Sequence, residues 1–310
     1  MQTHFIDILI NAVLAIIMFG IGLSLKASNF VGIAKKPKVF LIGLSMKMVF
    51  LPMLAFALCF LTDLSPEIKV GIVVLSVCPG GTTSNLITYL MDGNTELSIA
   101  LTTVNSFLAI ITIPLIVNLT LLLFLGSQTS LHLPLAKTTL QIFYIIIIPA
   151  ALGAIVNNKL PKFTSKVNRQ YHLRNLPQIK FNILKLITTI LLAVVFFIKI
   201  FANESSGGAG LVANDFKTIL PVLIVFNIVG LFAGYFSILP FGSKKDAMTV
   251  GIEVGLINTT LAFLIAGTFL QNAEMQKPAL IYAFFSFWTS LLFAYVVRRM
   301  AKISSNKSEN

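Results

Sequence analysis

A chain of 310 residues that is 56% hydrophobic and 11% charged, with mean hydropathy +0.91, is excluded from the ordinary water-soluble domains, which carry about 25% charged residues. The formal charge of +12 does not mark a nucleic-acid binder, because most basic residues lie in short connections between apolar runs. That is the pattern of a polytopic protein set in a lipid bilayer. The two cysteines, Cys59 and Cys78, fall inside apolar runs and make no disulfide framework.

A bilayer span needs about 20 apolar residues. Nine runs qualify in chain order: 5–25, 39–61, 69–91, 97–125, 138–157, 181–202, 216–241, 246–270 and 277–299. None alternates with a period of two, so an all-α class is expected rather than a barrel. The first run has no basic start and no small-residue cleavage site, and reads as a span rather than a leader. Connections on one side hold sixteen Lys and Arg, and the other side has only Lys69, Lys137, Lys217 and Lys277. The N-terminus is therefore expected outside and the C-terminus in the cytoplasm, in a bacterial inner membrane. The connection 92–96, with Asp92 and Glu96 and no base, is the exception on the basic side. The loop 157–180 reads as a solvated, topology-setting segment, with anionic lipid as a possible partner. Asn203-Glu204-Ser205 matches a glycosylation sequon that matters only in a eukaryotic secretory membrane.

Two spans are interrupted. The third contains CPGGTTSN (78–85), where Pro79, Gly80 and Gly81 break a helix and polar residues follow. The eighth contains GIEVGLINTT (251–260), with Gly251, Gly255, the acid Glu253 and then Asn258, Thr259 and Thr260. Irregular backbone at this depth survives only against protein or a water-filled cavity. Paired interruptions in the two halves of a chain point to the binding site of a secondary transporter. The fourth span adds Ser98, Thr102, Asn105 and Ser106 on one helical face. Lys47 and Glu253 are the ionisable groups clearly at mid-span, while Lys185 and Lys199 sit near span ends and can snorkel. An unpaired charge in the membrane is costly, so Lys47 and Glu253 are expected to approach each other.

At these residues the chain resembles the bile acid:sodium symporter family, from IMFGIGLSLK (17–26) through CPGGTTSNLITYL (78–90) to GIEVGLINTTLA (251–262). The resemblance covers nearly the whole chain, in the family's nine-helix form. It implies one transporter domain over 1–310, with a panel from spans 5–25, 138–157 and 181–202 and a core from 39–125 and 216–299. The core would hold two inverted repeats whose discontinuous helices cross at their breaks, with substrate between panel and core. The family's first sodium site falls on Ser84, Asn85, Ser98, Thr102 and Glu253, and no cofactor is implied beyond sodium as coupling ion. Thr82 and Asn258 match positions that contact substrate.

The second sodium site departs from the family pattern. Glutamines of that site are replaced by Lys47 and Ile257, leaving Glu253 and the backbone around Val254 and Leu256. The Lys47 ammonium is expected to stand where the second sodium would, held by Glu253. A His-Asn pair common after the tryptophan of the last span is here Thr289-Ser290, following Trp288. These two hydroxyls would lie near the substrate.

The expected function is sodium-coupled symport of an organic anion, either bile-acid-like or a small carboxylate such as pantoate. The alternatives are a sodium-independent carrier, proton-coupled or facilitative, and arsenite efflux through Cys78, which a related family performs with a thiolate in its broken helix. An enzyme is not expected: His4, His132 and His172 lie outside the spans or near an end, and no nucleophile–base or metal-ligand spacing occurs. The sequence says nothing of oligomeric state.

Overall fold

Prolines, caps and glycines set where the helices begin and end. A computed structural model of the chain describes residues 36–126, 148–160 and 210–308, with the stretches 171–173 and 176–181 and single positions within 12–23 and 140–144. Most of the expected spans 5–25, 138–157 and 181–202, and the sequon at Asn203, lie outside the described residues. The chain divides into two compact units, Met1–Lys26 with Pro134–Leu211, and Ala27–Leu133 with Val212–Asn310.

In the larger unit, α1 (Pro37–Ser45) runs through a π-helical turn (Met46–Phe50) into α2 (Leu51–Phe60). Pro52 accounts for that turn. It has no N–H, and its ring crowds the carbonyl four residues back, so the helix widens ahead of it and the Leu51 N–H donates to the Met46 carbonyl. Helix α3 (Pro66–Val77) starts on the Ser65 cap and a first-turn proline, then stops at Cys78. The chain crosses Pro79-Gly80-Gly81 and re-enters a helix as α4 (Thr82–Leu90). Asp92, at φ +57°, turns the chain left-handed. Asn94 then caps α5 (Thr95–Leu125), accepting from the Leu97 N–H at 3.1 Å. The two halves of α5 bend by 58°, because the Pro114 ring collides with the carbonyl of residue 110.

The smaller unit contains α6 (Ile148–Lys159). It meets the first span backbone to backbone, since a side chain at Gly153 would strike the Phe19 carbonyl and one at Gly22 the Ala150 carbonyl. Strands β1 (Tyr171–Leu173) and β2 (Leu176–Phe181) pair antiparallel. The basic connection, expected as a solvated, topology-setting loop, carries a hairpin. Only Arg174 and Asn175 separate the strands, a common hairpin spacing. Elsewhere the described elements are helical.

Helix α7 (Ala213–Ile238) returns to the larger unit. Ser243 and Asp246 form a reciprocal capping box that opens α8 (Lys244–Gly255). Leu256–Asn258 is a break. Asn258 caps α9 (Thr259–Leu264), which widens into a π turn (Ile265–Phe269), and α10 (Ala273–Ser308) ends the chain. A side chain at Gly251 would lie 2.7 Å from the Leu231 carbonyl, and one at Gly234 would lie 3.0 Å from the Gly251 Cα. The α7–α8 seam is therefore made by glycine.

Among the described residues, four segments are long and apolar enough to cross a membrane: Pro37–Phe60, Ala213–Ile238, Lys244–Gly267 and Ala273–Met300. The bent α5 makes a fifth. The broken span Lys244–Gly267 is 89% buried against 39–44% for the other three, so it forms the interior of its unit.

Candidate functional site

Each helix break frees backbone groups that a membrane interior cannot solvate. The two breaks satisfy one another: the Asn258 N–H donates to the Pro79 carbonyl at 2.8 Å. Asn258 also accepts from the Leu261 N–H at 3.1 Å through its side-chain oxygen, so this buried amide starts α9 while its backbone ties the two spans together.

Glu253 sits on the last turn of α8, buried beside this contact. Ser98 Oγ donates to its Oε1 at 2.5 Å and Thr102 Oγ1 to its Oε2 at 2.9 Å. Ser98 and Thr102 are four residues apart, so successive turns of α5 present both hydroxyls to one carboxylate. Asn85 Oδ1 lies 2.6 Å from Ser98 Oγ, and the Ser84 hydroxyl donates to the Gly81 carbonyl at 2.8 Å. The absence of a side chain at Gly80 keeps this cluster open. A Cβ there would stand 2.5 Å from Glu253 Oε2, 3.2 Å from Thr102 Oγ1 and 3.3 Å from Ser84 Oγ. The five residues expected to form the first sodium site are thus brought together as an oxygen-rich cradle holding one carboxylate. Such donors suit a hard cation.

Lys47 lies in the π-helical turn and is 5% exposed. Glu253 and Cys78 are within its electrostatic reach. The expected direct ion pair with Glu253 is absent: the ammonium has no hydrogen-bond partner among the described residues. Hydroxyls from α5 already take the carboxylate oxygens. Val254, Leu256 and Ile257 are buried around the second break. The Cys78 thiol is fully buried and donates to the Val74 carbonyl at 3.2 Å, within its own helix.

Of the remaining expected positions, Thr82 is the first residue of α4. Thr289 is half-buried and donates to Asn227 Oδ1 at 2.6 Å. Ser290 is fully buried with a hydroxyl that has no partner among the described residues, and Trp288 is exposed. Asn105 is buried, while Ser106 donates to the Thr102 carbonyl at 2.7 Å.

Sequence reasoning missed a second buried acid. Asp246, 1% exposed, accepts from Lys36 Nζ at 2.6 Å, Asn94 Nδ2 at 2.7 Å and Ser243 Oγ at 2.8 Å. It thereby ties the starts of α1, α5 and α8. The acidic connection 92–96 is accounted for in the same way, since Asp92 pairs with Arg298 and the Asn94 N–H donates to Thr249 Oγ1 at 2.8 Å. The S-x-x-D spacing from Ser243 to Asp246 was the available signal. Lys277, counted with the outer basic residues, is also buried, paired to Asp215 at 3.2 Å and to Glu274.

Comparison with known proteins places these residues in context. The family model described as "Sodium Bile acid symporter family" matches residues 11–205. The chain is 29% identical over 306 residues to an uncharacterized sodium-dependent transporter, YocS, of Bacillus subtilis, covering 97% of this chain and 87% of that protein. It is 26% identical over 310 residues to the ileal sodium/bile acid cotransporter of Cricetulus griseus, covering 96% and 81%. It is also 26% identical over 270 residues to the probable chloroplastic sodium/metabolite cotransporter BASS2 of Oryza sativa, covering 86% of this chain and 58% of that protein.

Proposed function

Because the chain belongs to the sodium bile acid symporter family, we propose that it is a sodium-coupled secondary-active carrier of an organic anion, working by alternating access. The observation that carries the proposal is the cradle around Glu253, where Ser98 and Thr102 hold a buried carboxylate at the crossing of two broken helices, beside Ser84 and Asn85. The names of the relatives, a sodium-dependent transporter and sodium cotransporters, support sodium as the coupling ion.

On this proposal Met1–Lys26 with Pro134–Leu211 act as the panel, the larger unit acts as the core of two inverted repeats, and the full complement of spans is nine. The N-terminal end of α4 offers its partial positive charge to an anion. Thr82, Asn258, Thr289 and Ser290 serve that anion, which is a bile-acid-like molecule or a smaller carboxylate. Sixteen basic residues against four support a cytoplasmic C-terminus, and the membrane is read as a bacterial inner membrane.

Lys47 takes the place of a second sodium ion. It is a fixed cation in electrostatic reach of Glu253, without a hydrogen-bonded partner among the described residues. One sodium ion per cycle follows. The same unpartnered ammonium favours a second reading, in which Lys47 exchanges a proton and transport is sodium-independent. The inward engagement of Cys78 gives no support to arsenite efflux.

Sodium titration of the purified protein by thermal shift, with potassium as control, tests the proposal on wild type and Lys47→Gln. A ligand at a hundred times its Kd stabilises by about 2.7 kcal/mol. A sodium-specific rise in wild type that steepens in Lys47→Gln is the expected result. A wild type indifferent to sodium overturns sodium coupling, and transport assayed across a pH gradient then tests the second reading.

A further inference from the structure

The α7–α8 seam brings two backbones together but gives α8 little axial register, because glycine contacts present a smooth surface. Register matters at Glu253. A helix rises about 1.5 Å per residue, so a slip of one residue takes the carboxylate out of reach of Ser98 and Thr102. Asp246 and Thr249 pin the start of α8, and the last turn, which carries Glu253, needs a hold of its own.

The polar contacts at its end provide it. Gly255 is the last residue of α8, and Leu256 beyond it turns extended at φ −111° and ψ 112°. The Gly255 carbonyl thus has no N–H of a continuing helix to accept from. It accepts instead from Asn227 Nδ2 of α7 at 2.8 Å and from the Tyr282 hydroxyl of α10 at 2.5 Å. Asn227 Nδ2 also lies 2.9 Å from the Tyr282 oxygen, so amide, hydroxyl and carbonyl form a closed triangle with two donors on the carbonyl. Both side chains are fully buried. Tyr282 is clamped edge-on by Phe226 and Phe285, with ring centroids at 6.0 and 5.3 Å. Thr289 sets the amide orientation. Thr289 Oγ1, with one proton to give, lies 2.6 Å from Asn227 Oδ1 and farther, at 3.1 Å, from the Ser286 carbonyl.

We infer that Asn227 and Tyr282, with Thr289 behind them, are positioning residues of the sodium site: they hold the Gly255 carbonyl and so fix Glu253 two residues earlier in the same helix. The inference rests on the proposed sodium reading of the Glu253 cradle. Asn227 and Tyr282 touch no ion in this account, and their effect is carried by the backbone of α8.

The test is the sodium half-saturation point in thermal-shift titrations of the full chain, with potassium as control, for wild type, Tyr282→Phe, Thr289→Val and Ser237→Ala. Ser237 lies on the same helix as Asn227 and returns its hydroxyl to the Gly234 carbonyl, so it reports general loosening of α7. Losing one donor to a buried carbonyl is expected to raise the half-saturating sodium concentration about five- to tenfold in Tyr282→Phe and about two- to threefold in Thr289→Val. Ser237→Ala is expected to leave it unchanged, whatever it does to the sodium-free midpoint. A merely structural role would lower that midpoint without moving half-saturation. If Tyr282→Phe does not fold, Thr289→Val carries the same comparison. A wild type that responds to sodium beside variants with unaltered half-saturation overturns the positioning role and leaves the sodium site standing. A wild type without any sodium response overturns both.

Discussion

The two breaks that meet at the Pro79–Asn258 contact do different chemical work. The first, Cys78–Gly81, is made by backbone chemistry: a proline ends α3, and Gly80 leaves a space where any Cβ would invade the cluster. The second, Leu256–Asn258, contains no proline, and Asn258 restarts the helix by capping it. One break contributes space and an acceptor, the Pro79 carbonyl. The other contributes the charge on Glu253 and a donor, the Asn258 N–H. The contact teaches that the two breaks are complementary rather than duplicate: one leaves an acceptor that the other's donor completes.

That contrast can be broken most severely on the charged side. Glu253→Gln keeps the shape of the side chain and removes its charge. It is expected to abolish the sodium-dependent thermal shift, and retention of a sodium-specific shift would show that the carboxylate is not the ion's anchor. On the spacious side, Gly80→Ala places a methyl group against Glu253 Oε2 and beside the Thr102 and Ser84 hydroxyls, so the carboxylate and its donors must shift apart. Sodium affinity is expected to fall by about two orders of magnitude, the scale of losing one or two charge-assisted hydrogen bonds. An unchanged titration would mean that the cradle does not hold the ion. Ser98→Ala and Thr102→Val each remove one hydroxyl bonded to the carboxylate, worth about 1.5–3 kcal/mol, and equal losses from the two would show that both oxygens of Glu253 are engaged. Asn258→Ala removes a cap and should cost about 1 kcal/mol of stability. Its backbone bond to Pro79 survives, so calorimetry should register the change more clearly than sodium titration. The smallest effect is expected from Lys36→Gln, which deletes a half-exposed partner of Asp246 and should shift stability by less than about 1 kcal/mol.

Much of the crossing was legible in the sequence because its signals are local. Pro79-Gly80-Gly81 breaks a helix by its own chemistry, and Ser98 and Thr102 share a face by spacing alone. A lone acid within an apolar run announces itself in the same way, as Glu253 does. What was not legible depends on distant partners. Asn227 reads as an isolated amide in an apolar span, and Tyr282 and Thr289, the residues that explain it, lie 55 and 62 positions away. Asp246 follows two lysines and looks like part of a solvated turn, yet it is buried under Asn94 and Lys36. The direct Lys47–Glu253 pair was expected from charge balance alone, which cannot register that two hydroxyls already occupy the carboxylate. The π-helical turn around Lys47 follows from Pro52, but no pattern of residue types marks where the extra residue is accommodated.

The glycine seam between α7 and α8 also bears on how the protein is made. Helix α8 carries Glu253 near mid-span, and one charged residue near mid-bilayer opposes insertion by about 2.5–3.5 kcal/mol. The segment is long and apolar enough to cross, but it is the least apolar of the four such segments. It enters as cargo of its neighbour: α7 is apolar enough to cross the bilayer and precedes it by a short turn. Gly234 and Gly251 let the two backbones close before the charged face meets lipid. The order of biogenesis is thereby written into the seam, and a bulky residue at Gly234 would be felt first at the ribosome-bound stage, as a failure of membrane integration.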